Sequence, residues 1–368
     1  MKIATFNIQN LFHRHRELIK INRTKNATDW ISELDALLRK SVKNQDDNER
    51  INSLSFLLGF EKTEDNPYAI LKRQAGEIYY KGRVLENESK ASFLTDWQGW
   101  TKLANRPIHE KAIFCKAYMI AETNPDILVL QEVEDRTSLM EFNSEFLPLL
   151  KIMPYQEVMV FETNEPRALG MGILLRDGYH LSSFKNHVHD LDDEGFALFD
   201  VDCQEYSIVT PQGDTVYVLS NQFSTEENQR KKQAGKVAER YLQLQEEGND
   251  FIVVCGTLND VSYSDCLSPL LRGTDLKDIA KNKKFKSDAD LGRDKNYFRL
   301  GAYRMGVNIK QQDYLLLSPK LFNNVNTAGM NRLGTWPERK PNWKLYPSIA
   351  SKNHAASEHP LIWARIDL

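Results

Sequence analysis

Apolar residues along this chain gather in short runs set apart by polar segments, and the period of the runs changes from region to region. Ile3-Ala-Thr-Phe6 reads as a strand, and a polar, charge-dense stretch follows from His13 to about Asn66. Within it, Trp30 to Arg39 carries apolar residues at helical spacing and Leu54 to Phe60 forms another apolar cluster. The pattern predicts a partly helical insertion, at about 13–105, between two core strands. Ile108, Ala112, Cys115 and Met119 recur as one face of an amphipathic helix, which Asn124-Pro125 stops before a strand over Asp126 to Leu130. Met171 to Leu175 predicts a buried strand. Tyr206 to Thr210 and Thr215 to Leu219 alternate around a Pro211-Gln-Gly213-Asp turn, which predicts an antiparallel pair. Ala234, Val237, Ala238, Tyr241 and Leu242 make one helix face ending near Gly248, before a strand over Phe251 to Cys255; Tyr314 to Leu317 and Pro360 to Ile366 predict two more strands. No repeat or low-complexity tract interrupts the series. Strands mixed with helices predict an α/β fold, with a two-layer sheet core flanked by helices.

Composition narrows the picture. With 368 residues, 41% of them hydrophobic, the chain can bury a large core, and we expect a single domain over 1–368 that carries the insertion. A net charge of -3 gives no global attraction to nucleic acid or anionic membranes, so a phosphate-bearing partner needs a local basic patch or a metal. Cys115, Cys203, Cys255 and Cys266 show no metal-ligand spacing and read as reduced, buried thiols. Met1 to Phe6 already reads as a strand and no apolar run approaches the ~18 residues of a membrane span, so the expectation is a cytoplasmic protein without a signal peptide or a membrane partner. Oligomeric state is open.

Three predicted strands far apart in sequence end in chemistry: Phe6-Asn7, Leu130-Gln131-Glu132, and Ser357-Glu358-His359 at the entrance to the last. Such residues can converge on one hard metal ion and one phosphate. Each has an ordinary alternative, since a strand-end glutamate is usually a solvated surface group, an asparagine a turn former and a lone histidine structural.

The segments Thr5 to Phe12, Pro125 to Glu134, Gly256-Thr257-Leu258-Asn259-Asp260, Gln312 to Ser318 and Ala356 to His359, taken in order, resemble the endonuclease/exonuclease/phosphatase superfamily of metal-dependent phosphoesterases. The resemblance implies a four-layered α/β sandwich, two mixed sheets packed face to face and flanked by helices. It implies a Mg2+ or Mn2+ ion on Glu132, Glu358 and Asn7. His359, oriented by Asp313, would contact the scissile phosphate together with Asn259 and Asn7, and Arg167, Gln222, Asn221 and Thr257 would bind substrate, most simply a nucleic acid phosphodiester or another phosphate ester.

The chain also departs from the family pattern. Thr257 stands where relatives carry the Asp that activates water, and Gln222 where they carry a His; Ser220 replaces an Asn, Glu358 an Asp, and Gly170 an acid. Threonine is no base at neutral pH, and glutamine cannot shuttle a proton. Asp260 and Asp265 lie close in sequence without being placed to substitute. Two readings follow: a divergent metal-dependent phosphoesterase, or a catalytically impaired member that binds a phosphate-bearing ligand or a protein. Trp97, Trp100, Trp336 and Trp343, with Arg339, Lys340 and Lys344, could stack and pair with a nucleic acid strand, although core tryptophans and a solvated loop are the simpler account. His13, Arg14, His15 and Arg16 read equally as a phosphate-attracting rim or a surface segment.

Overall fold

The structure is a computed structural model that describes residues 1–15, 27–40, 42–57, 69–75, 78–81, 99–103, 105–165, 169–286, 311–336 and 343–368. They divide into two compact units, Met1–Phe12 with Ile108–Leu368, and His13–Pro107.

In the larger unit the strands, in chain order, are β1 (Lys2–Asn7), β2 (Ile127–Val133), β3 (Glu157–Phe161), β4 (Gly170–Leu175), β5 (His180–Asn186), β6 (Asp202–Val209) and β7 (Thr215–Gln222). They continue as β8 (Ile252–Thr257), β9 (Lys277–Asp278), β10 (Phe285–Lys286), β11 (Asp313–Leu317), β12 (Val325–Asn331) and β13 (Leu361–Ile366). A seven-stranded sheet runs β10-β12-β13-β1-β2-β4-β3 and a six-stranded sheet β5-β6-β7-β8-β11-β9. Both are mixed: β1 is parallel to β2 and antiparallel to β13, and β7 is parallel to β8 and antiparallel to β6. Ile3, Val129 and Ile173 of the first sheet pack on Tyr206, Val218, Val253 and Leu315 of the second. The outer face of the first sheet (Ala4, Leu128, Leu130) lies under helix α1 (Glu110–Thr123), and that of the second (Leu219, Val254, Leu316) under helix α2 (Glu227–Glu246). The order helix, sheet, sheet, helix is the expected four-layered sandwich. Each large apolar side chain it buries contributes about 1.5–3 kcal/mol.

Helix α1 starts where the His109 side chain accepts the Lys111 N–H at 3.2 Å, and it ends at Asn124, whose left-handed φ of 44° points its N–H at the Ile120 carbonyl, 2.6 Å away. The Ile108 N–H reaches the Phe12 carbonyl at 2.7 Å, which closes the chain on either side of the excursion over 13–107. That smaller unit holds a three-stranded antiparallel sheet (Ala69–Ala75, Ile78–Lys81, Gly99–Leu103), a strand pair (His13–His15 with Asn105–Pro107) and two helices (Ala27–Arg39, Gln45–Leu57). Leu34, Leu38, Ile51 and Leu54 are among its buried helical residues. Among the described residues no helix is long and apolar enough to cross a membrane. The four cysteines are buried and unbridged.

Helix α2 is tied to its sheet by Arg240, which donates to both carboxylate oxygens of Glu205 on β6, at 2.8 and 2.7 Å. Burial raises the Glu205 carboxyl, but the Arg240 bonds and nearby His187 outweigh it and hold the group down to about 2. A carboxyl depressed in the folded state stabilises above its unfolded value and loses that contribution as pH falls toward the folded one. We therefore expect the wild-type chain to lose about 2–3 kcal/mol through this pair as pH drops below about 4.5. The Arg240→Met variant should lack that loss, which urea titrations at pH 6 and pH 3 would read.

Candidate functional site

The strand ends named by the motifs meet at one end of the seam between the sheets. In β2, Ile127 and Val129 face the inter-sheet core while Leu128 and Leu130 face α1, so plain alternation would turn Glu132 toward the helix. Two features bring it back: the β2–β4 register slips between Leu130 and Val133, and Glu132 adopts a φ of 57°. The cost of such a backbone is about 1–3 kcal/mol, and strain of this kind collects at functional sites.

In the second sheet the register sets Gln222 against Thr257 and Thr257 against Asp313, so the three form one inward-facing rank across β7, β8 and β11. From the first sheet come Asn7 at the end of β1, Glu132, and His359 just before β13. Gln222 Nε2 donates to Glu132 Oε1 at 2.9 Å, and Asn7 Nδ2 to the same oxygen at 3.3 Å. Asn7 Nδ2 also reaches Thr257 Oγ1 at 3.1 Å, and the Thr257 hydroxyl donates to Asp313 Oδ1 at 2.8 Å. His359 Nδ1 lies 2.9 Å from both Asp313 oxygens. One hydrogen-bonded chain thus runs Gln222, Glu132, Asn7, Thr257, Asp313, His359. Beneath it Gln131 Nε2 bonds Thr5 Oγ1 at 3.2 Å and crosses to Ser220 Oγ at 3.4 Å.

The segment before β13 is pinned at nearly every polar atom. Ser357 Oγ donates to the Asn7 carbonyl at 2.7 Å, the Glu358 N–H to Gln9 Oε1 at 2.7 Å, and the His359 N–H to Ser357 Oγ at 3.1 Å. Thr335 Oγ1 donates to the His359 carbonyl at 3.1 Å, the Trp336 N–H to the Ser357 carbonyl at 3.1 Å, and the buried Lys116 ammonium to the Ala356 carbonyl. The imidazole is therefore presented rigidly. Burial works against its protonation, but the Asp313 charge and hydrogen bonds, helped by Glu132 and Glu358, raise it to about 9. His359 is a cation at neutral pH.

Other expected residues have partners of their own. Asn221 stands on the opposite face of β7 from Gln222, completely buried toward α2, with Nδ2 on the Leu219 carbonyl at 2.8 Å; it is no part of the cleft, because strand alternation assigns it to the helix layer. Asn259, at φ 54°, spends its Nδ2 on the Phe223 carbonyl at 2.6 Å, tying the loop after β8 to the end of β7. Asp260 is paired with Arg230 at 2.9 Å and Asp265 with Arg272 at 3.3 Å, so neither replaces the missing acid. The Glu358 carboxylate turns outward, nearly half exposed, and pairs with Lys352, which holds it below the usual carboxylate range although partial burial opposes this. Trp343 is buried with the Arg332 guanidinium 4.6 Å from its ring centre, so it serves as packing. Arg167, Trp97, Arg339, Lys340 and Arg16 lie outside the described residues.

Gln9, Gln131, Lys116 and Lys352 were not singled out in the sequence. Gln9 sits two residues after Asn7 in the first motif, and that adjacency was its only local signal.

A divalent ion needs oxygen lone pairs converging from several sides. The donor set here fits one poorly: Asn7 and Gln222 turn amide nitrogens to Glu132, Thr257 is committed on both sides, and Glu358 is paired with a lysine. Among the described residues no three of His, Cys, Asp and Glu stand close enough to hold an ion.

No family model matches the chain, and no curated protein matches it. Solved structures do. A mannosyl-6-phosphatase from Bacteroides thetaiotaomicron VPI-5482 aligns at 13% identity over 70% of this chain and 90% of its own, with a TM-score of 0.48. An endonuclease/exonuclease/phosphatase from Bacteroides vulgatus aligns at 16% over 69% and 90%, TM-score 0.47. The human Nocturnin catalytic domain with a bound sulfate anion aligns at 16% over 70% and 87%, TM-score 0.45.

Proposed function

We propose that this chain is a divergent member of the endonuclease/exonuclease/phosphatase superfamily whose cleft binds a phosphate ester without hydrolysing it at an enzymatic rate. The observation that carries this reading is the state of Thr257, whose hydroxyl donates to Asp313 while accepting from Asn7. In-line attack on phosphorus needs a group to orient and deprotonate the water, and a hydroxyl engaged on both sides does neither. Gln222, across the rank, does not ionise. Loss of one such acid or base costs roughly 10²- to 10⁴-fold, and groups acting together need not multiply their losses. Binding chemistry survives better: Asp313 faces Nδ1 of His359, which leaves the ring's other nitrogen as a charged donor for an anion, with Lys352 nearby on Glu358. The intact His359–Asp313 pair favours the second reading, Mg2+- or Mn2+-dependent hydrolysis of a nucleic acid phosphodiester.

Purified chain incubated with either ion and a panel of DNA, RNA and phosphomonoesters separates the two. The expected result is no turnover above buffer, while inorganic phosphate shifts the His359 ring resonances in an NMR titration. A Thr257→Asp, Gln222→His double variant should then gain turnover. Native hydrolysis that His359→Ala abolishes would overturn the proposal.

A further inference from the structure

Each carboxylate of the cleft already has an N–H donor, hydroxyl or cation of this chain against it. Glu132 Oε1 receives amide nitrogens from Asn7 at 3.3 Å and Gln222 at 2.9 Å, Asp313 receives His359 and Thr257, and Glu358 receives Lys352. Asn7 is the decisive residue. Its oxygen accepts the Gln9 N–H at 3.2 Å, so the atom it turns toward Glu132 and Thr257 is the NH2 nitrogen, which has no lone pair to give a cation. Gln222 presents the same kind of atom from the opposite sheet. An ion approaching Glu132 Oε1 would meet two amide NH2 groups, and reversing Asn7 to offer its oxygen would strand the Gln9 N–H, which belongs to the residue clamping Glu358 through its own side chain.

We propose that this cleft holds no resident divalent ion: Asn7, Gln222, Thr257 and Lys352 stand where ion coordination would otherwise neutralise the three carboxylates. The ligand, on the functional reading above, is a phosphate met by His359 and Lys352.

Manganese alone is the probe, followed by the paramagnetic relaxation it induces in water protons, with the full chain and with Glu132→Gln. The expected result is the same weak retention by both. As a positive control, Asn7→Asp sets a second carboxylate beside Glu132 and should retain manganese at least tenfold more tightly, its folding checked by a thermal melt. Should that variant not fold, Thr257→Asp takes its place. Wild-type retention at least tenfold tighter than that of Glu132→Gln would overturn the proposal. Inorganic phosphate titrated with and without EDTA tests the functional reading separately. Equal binding in both buffers supports both ideas; binding only with manganese present overturns the ion-free cleft, and binding in neither removes the phosphate ligand while the manganese result still decides the ion.

Discussion

Replacing Asp313 with alanine is expected to cost about 3–5 kcal/mol of stability, because it removes one partner of a buried charge pair and strands the other. Asp313 is buried, and its carboxylate holds the His359 imidazolium and accepts the Thr257 hydroxyl. In the variant, burial opposes protonation of His359 against only the smaller pull of Glu132 and Glu358, so the ring's charge, and the phosphate contact with it, should weaken. The pH dependence gives an independent check. With His359 raised to about 9 in the fold against an ordinary 6.5, its contribution is complete below about 6.5 and disappears as pH climbs through about 9. At 1.36 kcal/mol per pKa unit that contribution is about 3 kcal/mol, and urea midpoints at pH 6 and pH 9.5 should show it in the wild type and not in Asp313→Ala. The double variant Asp313→Ala, His359→Phe should recover part of the loss, since the uncompensated ring is gone. A single variant within 1 kcal/mol of wild type at pH 6 would mean the pair is not a structural unit.

The sequence made legible what local pattern controls. Apolar runs marked β1, β2, β4, β6, β7, β8, β11 and β13, and residues at the ends of β1, β2, β7, β8 and β11 share one seam with His359 before β13. Strands β5 and β12 escaped because their pattern is weak, whereas β3, Glu157-Val-Met-Val-Phe161, carries a legible apolar run that no expectation used. His180–Asn186 is an edge strand with mostly exposed polar residues, and Val325–Asn331 contains Gly329, whose Cβ would meet the Lys286 carbonyl at 2.7 Å, so tight strand contact rather than propensity defines it. The site divides the same way. Asn7, Glu132 and His359 were readable from type and position, and Asp313 from the resemblance alone. Which of Asn221 and Gln222 enters the cleft depends on pairing parity, and the direction of Glu132 depends on one left-handed residue. The clamps on His359 are invisible for another reason: Gln9 bonds Glu358 at a separation of 349 residues and Lys116 bonds Ala356 at 240, distances over which no window of sequence carries a signal.

The rank of Gln222, Thr257 and Asp313 exists only because β7 and β8 approach without a side chain between them, and Gly256→Ala should destroy it. At Gly256 an added Cβ would lie 2.0 Å from the Asn221 carbonyl oxygen, a backbone atom that cannot swing aside. The φ of 119° adds strain for any L-residue. Strain alone costs about 1–3 kcal/mol. The clash must in addition force β7 and β8 apart, losing the pairs from Ser220↔Cys255 to Gln222↔Thr257, so the total should reach about 4 kcal/mol or more. Gly213→Ala isolates the two contributions, because that glycine has a φ of 88° but nothing within 4 Å of its would-be Cβ. It should lose only the strain, whereas Gly256→Ala should be largely insoluble or melt far lower and lose the phosphate-induced shift at His359. If the two alanine variants unfold at similar urea concentrations, the close approach at Gly256 is not what holds Thr257 against Asp313, and the alignment must come from the loop that Asn259 ties to Phe223.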